Sequence, residues 1–276
     1  MNIGSKIALV TGASSGIGEA TAQRLAMAGY KVYGTSRRPG KTSELLPLDV
    51  TSDESVAAVV KEVVRREGRI DLLVNNAGFS VAPAGAEESS IEQARAIFDT
   101  NFFGIVRMTR AVVPHMRSQG SGRIINIGSV LGFLPAPYMA LYSATKHAIE
   151  GYSESLDHEL RTRGIRVTVV EPAYTRTQFD ANLVEPDSKL DEYREVRAAL
   201  VKQMKEVLAG ADEPGVVADV VLKAASSPNP KLRYAAGALA RRLRLLRRFA
   251  PGGLMDSGIR KDLRLDALTA PSGTWT

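Results

Sequence analysis

Lys6-Ile7-Ala8-Leu9-Val10-Thr11-Gly12-Ala13-Ser14-Ser15-Gly16-Ile17-Gly18 is the stretch that decides how this chain folds. The four residues after Lys6 are apolar without alternation, as in a strand covered on both faces. They run into a glycine-rich turn. A helical stretch from Ile17 to Ala28 follows and is closed by Gly29, the residue that ends helices at least cost. Strand, tight turn and helix together open a parallel sheet, because the next strand must return by a helical crossover.

The same alternation continues outward. Strands are expected at 31–36, 45–50, 70–74, 123–128, 165–170 and 231–236, with helices at 53–67, 91–116, 138–160 and 214–225. Pro114 is expected to kink the last turns of the second of these helices. This is the pattern of a single α/β domain, a doubly wound parallel sheet with helices on both faces. Residues 1–237 are assigned to that domain. Within it, 178–212 mixes charges with scattered apolar positions and reads as a lid of one or two helices. Residues 238–276 form a basic extension.

The turn at 11–18 has the chemistry of a phosphate cradle. Glycines let the backbone approach a pyrophosphate, and the helix start offers free N–H groups and partial positive charge. The second strand ends in Ser36-Arg37-Arg38. NAD sites carry an acidic residue there for the ribose hydroxyls, whereas an arginine fork suits a 2′-phosphate, so NADP(H) is the expected cofactor. The plainer reading is a solvated basic turn before Pro39-Gly40. Asp49, in Leu48-Asp49-Val50, is placed to meet an adenine amino group or to act as a turn residue before a cap at Thr51 or Ser52. Asn75-Asn76-Ala77-Gly78 follows the fourth strand, either to hold the backbone or to lock the sheet edge against a cofactor. Asn101 is a poor helix former inside a helical run and is expected to disturb it.

Tyr142 and Lys146 stand one helical turn apart on one face. An unperturbed tyrosine titrates near about 10, and a neighbouring ammonium draws that value toward neutrality. Ser129 ends the fifth strand, where its hydroxyl faces a cleft. These groups suit proton transfer at a carbonyl or alcohol oxygen.

Composition narrows the classes. With no cysteine the chain has no disulfide framework, thiolate metal site or cysteine nucleophile. His115, His147 and His158 lack metal-ligand spacing, and Gly128-Ser129-Val130 is no nucleophile elbow. No secretory leader or membrane-spanning run is legible, so the cytoplasm is the expected location. The net charge of +6 is concentrated from Lys231 onward, where ten basic residues meet three acidic ones, which argues against a nucleic-acid-binding core. In the tail, Leu239, Leu243 and Leu246 share a helix face among arginines. That face suits packing on its own domain or on a sister subunit, and less so an anionic membrane surface.

Taken together these motifs resemble the short-chain dehydrogenase/reductase family. The match comprises Thr-Gly-x-x-x-Gly-x-Gly at 11–18, Asp49, Asn-Asn-Ala-Gly at 75–78, Asn101, Ser129, Tyr-x-x-x-Lys at 142–146 and Pro-x-x-x-x-Thr at 172–177. The resemblance implies a Rossmann sheet and hydride exchange between NADP(H) and a carbonyl or secondary alcohol. It implies Tyr142 as acid/base, Ser129 as carbonyl partner, Lys146 on the nicotinamide ribose, and Asn101 holding a water in the proton relay. Gly12, Ser14, Ser15, Gly16, Ile17 and Gly18 would line the pyrophosphate, with Ser36, Arg37 and Arg38 at the 2′-phosphate. Asp49 and Val50 would meet the adenine, Asn76, Ala77 and Gly78 the adenosine ribose side, and Pro172, Thr175 and Thr177 the nicotinamide. Ala173 replaces the family's usual glycine, and Ser15 stands where many NADP-dependent members carry a basic residue. The apolar approach (Val130, Leu131, Phe133, Leu134, Phe179) resembles steroid- and retinol-type members. A carrier-bound ketoacyl reductase and a non-catalytic NADP(H) sensor are the alternatives. A homodimer or homotetramer through the helices around 101–117 and 142–163 is what the family implies.

Overall fold

The computed structural model describes residues 5–39, 44–178 and 183–262. Phe179, Gly40 and residues 263–276 of the extension therefore lie outside the described residues. Seven parallel strands form one sheet: β1 (Ile7–Val10), β2 (Lys31–Ser36), β3 (Leu46–Pro47), β4 (Leu72–Asn75), β5 (Gly122–Ile127), β6 (Ile165–Pro172) and β7 (Arg233–Ala236). Their order is β3-β2-β1-β4-β5-β6-β7. Connections from β1 run one way and those from β4 the other, so the topological switch falls between these two strands. Ligands of open α/β sheets bind in the crevice beyond the strand ends at such a point.

Apolar side chains cover both faces, as the unalternating strands demand. Ile7 and Leu9 of β1 enter a core with Val56, Val59 and Val63 of α2 (Asp53–Glu67) and Met108, Val112 and Met116 of α4 (Gly104–Gln119). Ala8 and Val10 point the opposite way, toward Leu25 of α1 (Gly16–Met27) and Val217 and Val221 of α7 (Pro214–Ser226). The remaining helices are α3 (Ile91–Phe98), α5 (Ala140–Arg161), α6 (Arg194–Ala209), α8 (Ala238–Phe249) and α9 (Gly252–Asp262). Among the described residues no helix is long and apolar enough to cross a membrane.

Three expectations are corrected. The helix expected at 91–116 is broken at Asp99–Phe103 into a π turn that separates α3 from α4, and Asn101 is its central residue. Arg107 secures this turn through the Asp99 carboxylate at 2.7 Å, while α4 continues through Pro114 to Gln119. The strand expected at 45–50 pairs only over Leu46–Pro47. The helix expected from Tyr138 starts at Ala140, because Tyr138 takes a left-handed φ of 63°. Among the described residues of the stretch expected to be a lid, 183–212 hold a short turn at Asp191–Tyr193 and one long helix, α6.

Candidate active site

The cradle is built by contact between β1 and β4. A Cβ on Gly18 would lie 2.1 Å from the Gly12 carbonyl oxygen and 2.5 Å from Asn76 Nδ2, so only glycine fits there. Asn76 Nδ2 donates to the carbonyl oxygens of Thr11 and Gly12, each at 3.0 Å. Thr11 Oγ1 accepts from the backbone N–H groups of Asn76 and Ala77 at 2.9 and 3.0 Å. Asn76 thus locks the sheet edge to the turn. Thr11, to which sequence reading gave no task, is the other half of that lock. Ser15 precedes α1 without capping it by its side chain, which leaves the helix's first N–H groups for an anion. Thr177 packs against this turn from the segment after β6, 3.1 Å from where a Cβ on Gly16 would lie.

These features fit a dinucleotide. Asp49 accepts from Thr51 N and Oγ1 at 2.9 and 2.7 Å, and these bonds hold its carboxyl below the usual carboxylate range. It serves as the turn residue, while Ser52 caps α2 by accepting from Ser55 N at 3.1 Å. Arg37 and Arg38 are exposed beyond β2, where Ser36 Oγ accepts from Arg38 N. Val50 is buried, and its carbonyl accepts from Arg107. Thr175 is buried and pairs with Asp212 beyond β6, next to Pro172 and Ala173.

The four acid/base candidates meet at one end of α5. Lys146 is 8% exposed, and its Nζ donates to the Ile127 carbonyl at 2.9 Å, two residues before Ser129. That Nζ lies 5.4 Å from the centre of the Tyr142 ring. Burial pushes the Lys146 ammonium down to about 8, against the pull of Glu150. Ser129 is buried, extended, and accepts from Leu131 N at 3.1 Å. Asn101 accepts from Phe79 N at 2.9 Å and donates to Phe79 O at 2.8 Å. It also reaches Thr145 Oγ1 at 3.4 Å, which in turn donates to Tyr142 O at 2.8 Å. Thr145 therefore joins the π turn to the Tyr142–Lys146 helix, a link that no local signal in the sequence announces.

Around this centre, Val130 and Leu134 are buried, and the Phe133 ring lies 5.3 Å beneath the Arg244 guanidinium. The segment carrying Leu190 and α6 is fastened through buried Glu88, which accepts from Gly85 N and Leu190 N and pairs with Arg197 of α6. Among the described residues, no group of three or more His, Asp and Glu is arranged to hold a metal. A surface hollow of about 510 Å³ lies between Ile91, Phe98 and Phe103, and no cradle residue lines it.

Residues 6–188 match the family described as short chain dehydrogenase. A 3-ketodihydrosphingosine reductase of Bacteroides thetaiotaomicron is 37% identical over 239 residues, covering 85% of this chain and 88% of the relative. A 3-oxoacyl-[acyl-carrier-protein] reductase of Vibrio cholerae is 36% identical over 220 residues, covering 72% and 90%. The crystal structure of a short-chain dehydrogenase from Streptomyces avermitilis superposes with a TM-score of 0.77 at 34% identity, covering 96% and 97%. Related structures have been solved with NADP or with NADH, which supports a nicotinamide cofactor here. The family match and these likenesses, with the seven-stranded parallel sheet, show that the chain belongs to the short-chain dehydrogenase family, oxidoreductases of carbonyl and alcohol groups.

Proposed function

We propose that the protein moves hydride between NADP(H) and a lipophilic ketone or secondary alcohol. The observation that carries this reading is the convergence of Asn101, Thr145, Tyr142, Lys146 and the strand end bearing Ser129. When bound, the nicotinamide supplies or receives the hydride. In the reducing direction Tyr142 gives its hydroxyl proton to the substrate oxygen, which Ser129 Oγ holds by a hydrogen bond. The Lys146 charge favours the negative oxygen left on Tyr142 and reaches the nicotinamide ribose. Asn101 fixes the Phe79 backbone beside the route by which the proton is replaced.

Gly12, Ser14, Ser15, Gly16, Ile17 and Gly18 hold the pyrophosphate, and Arg37 with Arg38 the 2′-phosphate. Support for NADP(H) comes from two exposed arginines, with no carboxylate, immediately after β2. Support for a lipophilic substrate comes from the Val130–Leu134 stretch and the apolar residues Val81 and Ala84 below the lid. Residues 183–212 act as that lid. Ile91 and Phe103, 63% and 48% exposed at the surface hollow, suit a contact between copies in a homodimer or homotetramer. The cysteine-free chain suits the cytoplasm. A second reading, reduction of a carrier-bound ketoacyl group, is favoured by the exposed Arg241, Arg242, Arg247 and Arg248 of α8, which would meet an acidic carrier.

Calorimetric titration with NADPH and NADH, on wild type and on Arg37→Ala, tests the cofactor assignment. NADPH should bind more tightly and lose at least ten-fold in the variant; equal or tighter NADH binding would refute it. Tyr142→Phe should keep NADPH binding and lose turnover on a panel of long-chain ketones. Wild-type-like turnover in that variant would remove the acid/base reading.

A further inference from the structure

A second group of buried charges begins next along α5 from Lys146. Glu150 follows it by one helical turn on α5 and is 7% exposed. Its Oε2 accepts from Arg233 Nε of β7 at 2.7 Å. Arg233 also bonds Glu154 at 2.7 Å and stands 4.0 Å from Glu171, a fully buried residue near the end of β6. Glu171 pairs in turn with Arg244 of α8, the arginine that covers Phe133. The backbone presses in from the remaining side. A Cβ on Gly132 would lie 3.0 Å from both Glu150 Cγ and the Lys146 carbonyl oxygen. Glu150 is thus fixed by α5, β6, β7 and the turn after Ser129.

Burying this many charges is costly unless each is needed or matched. Two oxygens, Glu150 Oε1 and Glu171 Oε2, are buried without a hydrogen-bond partner. A proton held between the two carboxyls meets that want. Burial, and then repulsion from Glu150, push Glu171 up to about 7, against the pull of Arg244 and Arg233. Burial also raises Glu150, but Arg233 donates to it directly and favours its charged form. Each carboxyl has one arginine bonded to it, but Glu171 is fully buried where Glu150 is 7% exposed, so Glu171 takes the proton more readily than Glu150. Glu150 Oε1 lies 3.3 Å from where a Cβ on Gly128 would be, beside the Ile127 carbonyl that Lys146 Nζ bonds, and its charge favours the ammonium that burial disfavours.

We propose that Glu150 is a positioning residue for the reaction: its carboxylate keeps the buried Lys146 ammonium charged, while Arg233 and Arg244 fix the carboxyl pair from β7 and from the C-terminal helix. The proposal deepens the reading of Tyr142 and Lys146 as one acid/base unit and rests on it. It also gives the basic extension a task at the site, since Arg244 ties α8 to the residue preceding Pro172.

The test reads the two titrations directly and needs no substrate. In protein carrying ¹³C-lysine and ¹³C-glutamate, the Lys146 and Glu150 signals are assigned with Lys146→Arg and Glu150→Gln. Glu150 should be ionised across the range in which Lys146 titrates. A Glu150 signal protonated at pH 7.5 would overturn the proposal in wild type, whether or not the variants fold. In Glu150→Gln the Lys146 midpoint should fall by about one pH unit or more, a ten-fold or larger loss in the ratio of ammonium to amine. Glu150→Asp should recover most of that shift. A lowered melting temperature with an unmoved Lys146 midpoint would mean that the cluster only fastens α8. Turnover of long-chain ketones by Tyr142→Phe reports separately on the acid/base reading, so the two failures are distinguishable.

Discussion

Replacing Gly18 by alanine puts the cradle under the most direct strain. The added Cβ would stand 2.1 Å from the Gly12 carbonyl oxygen, where such contacts do not fall below 3.0 Å. Backbone must therefore move by about 1 Å, because the obstacle is a carbonyl in a turn pinned by Thr11 and Asn76 and cannot rotate away. Forcing a methyl into a packed site costs about 1–3 kcal/mol. A chain of this size loses roughly 2–4 °C in Tm for each kcal/mol. The displacement also parts the start of α1 from the turn, so NADPH affinity should drop at least ten-fold, about 1.4 kcal/mol. Gly29→Ala is the control. Gly29 has φ +88° but no atom within 4 Å of the added Cβ, so that variant should lose about 1 kcal/mol of stability and keep wild-type affinity. Calorimetric melting and NADPH titration on the three proteins decide the matter. A Gly18→Ala protein with unchanged Tm and affinity would show that the cradle is not closed by this contact.

Two further outcomes are expected. Gly151→Ala, inside α5 and facing open space, should raise stability by about 0.5–1 kcal/mol in denaturant unfolding, since alanine costs less to order in a helix; a loss would mean the site is more confined than its geometry shows. Asp157 is fully buried, and burial pushes its carboxyl up. Bonds from Arg166 at 2.9 Å, from Arg161 and from Val167 N at 2.8 Å outweigh that and hold it at about 2. Its unfolded value, near 3.8, is higher, so its stabilisation is complete above about pH 4 and is lost as pH falls toward 2. Asp157→Asn should lower stability at neutral pH by about 2 kcal/mol and flatten this acid limb; an unchanged acid limb would refute the assignment.

The order of strands and helices was legible because each signal is local. Apolar runs such as Ile7–Val10, the cap expected at Thr51 or Ser52 and the glycines of the turn act within a few residues. The Tyr142–Lys146 pair was legible for the same reason, since helix geometry alone puts the two on one face. Four readings needed the folded chain. The π turn at Asn101 depends on the Phe79 backbone, 22 residues away in sequence. Whether Asn76 holds the backbone or locks the sheet edge against a cofactor turns on its bonds to Thr11 and Gly12 across the switch point. Leu239 and Leu246, on the face expected to pack on its own domain or a sister subunit, are each 41% exposed within the chain, where α8 turns Ala240 and Arg244 inward. And Glu150, Glu171, Arg233 and Arg244, unremarkable where they stand in sequence, become one buried cluster only when β6, β7 and α8 close around α5. Sequence by itself set the elements and the chemistry carried on single helices and turns; the tertiary structure decided which distant polar groups face one another, because a buried charge takes its meaning from partners that only folding brings near.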